Sequence, residues 1–219
     1  GARKNGFQYI ANQHKTVYYN DQGQMQYGQQ KINGHWYLLD NATGSMKTGI
    51  QYIANQHKTV YYNDQGQMQY GQQKVNGHWY LFDNITGAMK TGMQYVANQH
   101  KTVYYNGQGQ MQYGQQRING HWYLFDNVTG TMKTGFQYIA NQHKTAYYNA
   151  KGQMQYGQQR INGHWYLFDN VTGTMKTGFQ YIANQHKTVY YNAKGQMLYG
   201  KQVINGRTYY FDLKNGRKL

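Results

Sequence analysis

Several kinds of side chain recur along this chain at fixed spacing, and each is equipped for a particular chemistry. Tryptophan stands at Trp36, Trp79, Trp122 and Trp165, and Tyr18, Tyr61, Tyr104, Tyr147 and Tyr190 each precede a second tyrosine. Flat aromatic faces suit sugar rings and polyol carbons, with Asn and Gln supplying hydrogen bonds beside them. Lysine recurs at Lys15, Lys58, Lys101, Lys144 and Lys187, and again at Lys47, Lys90, Lys133 and Lys176. A third cationic place holds Lys31, Lys74, Arg117 and Arg160. The 22 Lys and Arg outnumber the 7 acids, all of them Asp, for a formal net charge of +15. Such a surface attracts polyanions. With so few acids to pair with, the repeated cations are expected to bind one.

Nine histidines recur, one per half-repeat: His14, His57, His100, His143 and His186, then His35, His78, His121 and His164. A metal site needs ligands gathered in space with suitable partners, and solitary turn histidines do not supply one. Their expected role is protonation: an unperturbed imidazole titrates near pH ~6.5. Nine added charges would strengthen polyanion binding in mild acid. Catalysis finds no support. The chain has no Glu, no Cys, a single Ser at Ser45 and no phosphate-binding glycine loop leading into a helix. Asp40, Asp83, Asp126, Asp169 and Asp212 read as turn formers. No catalytic residue, metal or cofactor is expected.

These residues recur because the chain itself does. A block of 43 residues starts at Phe7, Ile50, Met93, Phe136 and Phe179. The period means a repeat array over 1–219, in which any site is built once per repeat. The last block diverges: Thr208 replaces Trp, Arg207 replaces His, and seven basic residues fall from Lys187 onward, which reads as a basic cap. Lys4-Asn5-Gly6 matches Lys47-Thr48-Gly49 at the tail of a repeat, so an array that begins upstream is expected. No run of about 18 apolar residues offers a membrane span.

Each block splits into two related halves, 6–27 and 28–48 in the first copy. Gly6 aligns with Gly28, Gly23 with Gly44 and Met25 with Met46. Both halves read as β-hairpins. In the second, Asn33-Gly34 separates two strand-like runs, and that dipeptide favours a two-residue turn with positive φ at both positions. In the first, a longer turn runs through Ala11-Asn12-Gln13-His14. One hairpin is marginal in water, so the expected fold is all-β: an elongated solenoid of about ten stacked hairpins with an aromatic spine. In each Tyr pair one ring should be core and the other exposed.

The unit GQQKINGHWYLLDNATGSMKTG (Gly28–Gly49) and its copies closely resemble the choline-binding, or cell-wall-binding, repeats of Gram-positive surface proteins and phage lysins. The final half, Gly200–Gly216, is also similar to the glucan-binding repeats of glucansucrases. The resemblance covers essentially the whole chain and implies a left-handed hairpin solenoid with ligands between successive hairpins. It also implies cages of two Trp and a further aromatic that hold choline by cation–π attraction. Here the first Trp place holds Phe7, Ile50, Met93, Phe136 and Phe179, or Gln29, Gln72, Gln115, Gln158 and Lys201. The second keeps Trp only in alternate halves and is Thr16, Thr59, Thr102, Thr145 or Thr188 in the others. No half keeps both, which points away from choline and toward the phosphate polymer itself.

The expected function is therefore non-catalytic: multivalent attachment of a secreted, surface-located bacterial or phage protein to anionic wall polymer such as (lipo)teichoic acid. An adhesin or surface coat binding host mucin or glycosaminoglycan, and a neutral glucan-binding module, are the alternatives. Nucleic acid is not the expected partner.

Overall fold

The structure is a computed structural model that describes residues 4–219. Those residues form ten antiparallel hairpins of two five-residue strands each. We number them in chain order: 6–19, 28–39, 49–62, 71–82, 92–105, 114–125, 135–148, 157–168, 178–191 and 200–211. The fold is the all-β hairpin solenoid expected from the sequence. It divides into two compact units, one ending at Gln112 and one beginning at Tyr113.

The two hairpin types differ at their turns. In even-numbered hairpins Asn-Gly makes the reversal, with Asn33 at φ 48° and Gly34 at φ 85°, the positive pair that a type I′ turn demands. In odd-numbered hairpins a 3₁₀ turn over Ala11–Gln13 ends at His14, whose φ of 47° is left-handed. The His14 N–H donates to the Ala11 carbonyl at 3.2 Å. The histidine is thus a backbone device as well as an imidazole.

Strand alternation builds the core. Lys58–Tyr62 turns Val60 and Tyr62 inward, both fully buried, while Thr59 and Tyr61 lie half-buried on the other face. Connectors then close on the hairpin that precedes the one they follow. The Met89 N–H donates to the Thr59 carbonyl and the Met154 N–H to the Trp122 carbonyl, both at 2.8 Å. Side chains continue the stitching. Gln29 donates to the hydroxyl of buried Tyr62 at 2.7 Å, and Gln56 donates to Gln29 Oε1 at 2.7 Å. The same relay recurs at Gln72, Tyr105 and Gln99 and at Gln115, Tyr148 and Gln142. The buried tyrosine ring fills the core while its hydroxyl keeps a partner. In the divergent last block Val203, Tyr210 and Leu213 remain exposed.

Candidate functional site

The first candidate site lies where an odd hairpin meets the next even one. Phe7 sits opposite Tyr18 in the strand register, with ring centroids 4.9 Å apart. Tyr37 of the following hairpin closes on the same ring at 4.8 Å. Phe136 repeats this with Tyr147 and Tyr166, at 4.9 and 4.8 Å, and Phe179 with Tyr190 and Tyr209, at 4.9 and 5.0 Å. Where Ile50 replaces the Phe, Tyr61 stacks on Phe82 at 5.9 Å. The Phe rings stay open on one side, as Phe7 is 38% exposed.

The last of these clusters carries a cation. Lys218 Nζ stands 5.0 Å from the Tyr209 centroid and 5.5 Å from that of Phe179. Lys218 bridges Phe211 as Met46 bridges Leu39 and Met175 bridges Phe168. It therefore occupies a methionine place of the repeat. An ammonium within about 6 Å of an aromatic face is attracted by the ring quadrupole. Two rings of the Phe179 cluster thus hold the chain's own ammonium, although no half-repeat has both Trp.

The tyrosine ladder is less open than the sequence reading had it. The second residue of the later pairs is core, with Tyr62, Tyr105, Tyr148 and Tyr191 fully buried. The first residues Tyr18, Tyr61, Tyr104, Tyr147 and Tyr190 are half-buried, not exposed. Trp36, Trp79 and Trp165 are 36–37% exposed. Trp122 is half-buried and packs against the cluster of Ile139, Ala146, Tyr148 and Met154.

The cations that recur with the repeat sort into three groups. Lys47, Lys90, Lys133 and Lys176 pair with Asp40, Asp83, Asp126 and Asp169 at 2.8–2.9 Å, which corrects the expectation that these lysines lack acids. The other oxygen of each carboxylate holds the turn: Asp40 Oδ1 accepts the Ala42 and Thr43 N–H groups at 3.0 and 2.9 Å. Lys47 and these N–H donors keep the Asp40 carboxyl well below the usual carboxylate range. Lys15, Lys58, Lys144 and Lys187 reach the carbonyls of Thr43, Thr86, Thr172 and Asn215 at 2.6–2.8 Å, and Lys101 is not free either. Burial lowers the pKa of Lys144 and Lys187.

The third group is different. Lys31, Lys74, Arg117 and Arg160 are exposed, and among the described residues they form no hydrogen bond or ion pair. Each faces a tryptophan across the hairpin: Lys31 and Trp36, Lys74 and Trp79, Arg117 and Trp122, Arg160 and Trp165. Directly opposed residues have Cβ atoms about 4.5–5.5 Å apart. Every even hairpin before the last therefore presents an unpaired cation beside a partly open indole.

All nine histidines are exposed. His14, His57 and His186 lie 3.4 Å by Nδ1 from the hydroxyls of Tyr9, Tyr52 and Tyr181, and His100 lies 3.5 Å from that of Tyr95. Among the described residues no three His, Cys, Asp or Glu side chains gather as a metal would require. Among the described residues no helix is long and apolar enough to cross a membrane.

The model of the choline-binding repeat matches residues 4–49, 47–93 and 176–219, and that of a putative cell wall binding repeat matches 116–132 and 159–175. The chain belongs to the choline-binding repeat family. Solved choline-binding proteins share the architecture. CbpJ of Streptococcus pneumoniae TIGR4 is 24% identical with a TM-score of 0.73, over 98% of this chain and 87% of that one. Choline binding protein F of Streptococcus pneumoniae, solved in the presence of a peptidoglycan analogue, is 26% identical with a TM-score of 0.76, over 94% and 75%. The choline-binding domain of CbpL from the same species is 18% identical with a TM-score of 0.62, over 89% and 97%. No curated protein sequence matches the chain.

Within this array of choline-binding-family repeats, Tyr37, Tyr166 and Tyr209 escaped the sequence reading as site residues, as did Lys218. Their signal was present, because each Tyr follows a block start at a constant separation. A search for Trp at the two family places passes over rings supplied by the opposite strand and the next hairpin.

Proposed function

We propose that this chain is a non-catalytic, multivalent module that holds a secreted bacterial or phage protein on teichoic acid at the cell wall. Aromatic faces take ammonium substituents of the polymer, and the unpaired cations take its phosphates. The observation that carries this reading is the Lys218 ammonium lying over Phe179 and Tyr209. It is the chain's own example of a charged nitrogen on the three-ring site, in a family defined by choline binding. The Phe7 and Phe136 clusters have the same rings without the lysine.

Lys31, Lys74, Arg117 and Arg160 supply the second half of the recognition, since unpaired cations lose least when a phosphate arrives. Each contact alone is weak. Repetition converts later contacts into intramolecular events and raises avidity. The test is binding to choline-bearing teichoic acid before and after enzymatic removal of the choline. Weaker binding after removal, with a salt-sensitive remainder, is the expected result. Unchanged binding would return the aromatic clusters to a purely structural role.

A further inference from the structure

A methionine recurs in every connector but the last, where Lys218 stands instead. After even hairpins Met46, Met89, Met132 and Met175 bridge back to Leu39, Phe82, Phe125 and Phe168. After odd hairpins the same place holds Met25, Met68, Met111, Met154 and Met197. Burial separates the two sets. Met68, Met111, Met154 and Met197 are only 4–5% exposed. All four methionines of the even connectors are half-buried, as are Met25 and Met93, which lie outside that set.

We propose that Met46, Met89, Met132 and Met175 are sites of reversible oxidation to the sulfoxide by hydrogen peroxide, and that the modification loosens the aromatic clusters beside them. In the step, a sulfur lone pair attacks one peroxide oxygen. The S–O bond forms as the O–O bond breaks, and the departing hydroxide takes the proton from the transferred oxygen and leaves as water. The thioether is oxidised and the peroxide reduced, with no further reactant.

Access selects these four over the buried set, since oxidant in water reaches part of each side chain. Their packing then makes the added oxygen disruptive. A Cβ added at Gly66, Gly109, Gly152 or Gly195 would fall on the Sδ of Met46, Met89, Met132 or Met175 in turn. Each sulfur therefore rests on bare glycine backbone of the next connector, in the volume a side chain would fill. An oxygen bonded to that sulfur on the glycine side needs the same volume, so the connector has to move.

The other side of the thioether meets the rings. Met175 packs against the cluster of Ile161, Tyr166 and Phe168, and so does Tyr147. Tyr147 and Tyr166 are the rings that close on Phe136, at 4.9 and 4.8 Å. The last repeat places Lys218 Nζ, from the same connector position, over Phe179 and Tyr209. The even-connector position thus faces the aromatic cluster of its own block. A thioether is apolar and polarizable and suits a ring edge. The sulfoxide is polar and chiral, and methionine sulfoxide reductases return it to the thioether.

The oxidation itself is independent of what the array binds; only its effect on wall attachment rests on the teichoic acid reading. The experiment treats the whole chain with graded hydrogen peroxide and follows each methionine by mass spectrometry of tryptic peptides. Met132 and Met175 fall in identical peptides, 118–133 and 161–176, and are followed together. The peptides of Met46, Met89 and the Met132/Met175 pair should gain oxygen at least about fivefold faster than those of Met111, Met154 and Met197. The melting temperature should fall with that early phase and return after treatment with the reductases. Met46→Leu, Met89→Leu, Met132→Leu and Met175→Leu together keep a side chain of similar volume, and this variant should hold its melting temperature through the same peroxide exposure. Equal oxidation rates in the two sets overturn the proposal. So does an early phase that leaves the melting temperature unchanged, or a fall in the Leu variant as large as in the parent. Oxidation in the expected order, with the melting temperature lowered but sedimentation with cell walls undiminished, upholds the modification and counts against the rings as the wall contact.

Discussion

The division between engaged and unengaged cations predicts a difference between two variants of identical net charge. In one, Lys31, Lys74, Arg117 and Arg160 become Gln. In the other, Lys47, Lys90, Lys133 and Lys176 become Gln. Each lowers the formal charge of +15 by four, so any long-range attraction falls equally. The first set is exposed and unpaired, while the second sits 2.8–2.9 Å from aspartates that already neutralise it. Counterion release makes log K fall with log salt in proportion to the phosphates contacted, at about 0.7 per contact for a flexible single strand. Four lost contacts should therefore make the slope for teichoic acid shallower by up to about 3 in the first variant. In the second it should stay near the parent value, with the loss showing in thermal stability because the connector turns lose their ion pairs. The assay is surface-immobilised teichoic acid across a salt series. Equal slopes in the two variants, or a larger change in the second, would refute the assignment.

Three further outcomes follow from local geometry. Gly173→Ala and Gly178→Ala both force Ala into left-handed backbone, at φ +68° and +75°, costing about 1–2 kcal/mol. Only the first puts a Cβ 2.8 Å from the Sδ of buried Met154, so overpacking should add roughly 1–3 kcal/mol; equal urea midpoints would contradict the packing. Acid should destabilise the fold. Asp126 and Asp169 have depressed folded pKa values, from the Thr129 and Thr172 N–H groups first and Lys133 and Lys176 second. Their contribution is complete above the unfolded carboxylate value of about 3.9 and is lost as pH falls below it. Asp126→Asn with Asp169→Asn should flatten the melting temperature against pH in that window, and a parallel fall in parent and variant would count against it. Finally, Lys218→Met restores the repeat pattern and uncovers Phe179 and Tyr209. Tetramethylammonium should then shift more aromatic NMR resonances in the variant than in the parent, and identical shifts would show that the lysine does not occupy a usable site.

Much of the fold was legible because the backbone-determining residues are local. Asn33-Gly34 dictates its own turn, and alternation through Val60 and Tyr62 dictates which face is core. The period of 43 residues then fixes the architecture. The sites were less legible because they depend on pairs that meet only once a connector or a neighbouring hairpin has folded back. Nothing near Lys47 announces that Asp40 will meet it across the connector, or that Lys15 will reach the carbonyl of Thr43. Charge counting treats such lysines as equal to Lys31, which, unlike them, has no partner among the described residues. Alternation within one hairpin predicts one exposed ring in each Tyr pair, yet Tyr18 and Tyr19 are both half-buried. Packing of Phe7 and Tyr37 from two hairpins half-covers that face.

The central claim, attachment to the wall through its teichoic acid, is tested most directly by sedimenting the labelled chain with Gram-positive cell walls. Walls carrying teichoic acid should remove the chain from solution, free choline and raised salt should each release part of it, and walls stripped of the polymer should bind markedly less. Undiminished sedimentation with stripped walls, in the presence of choline and at high salt, would contradict the account.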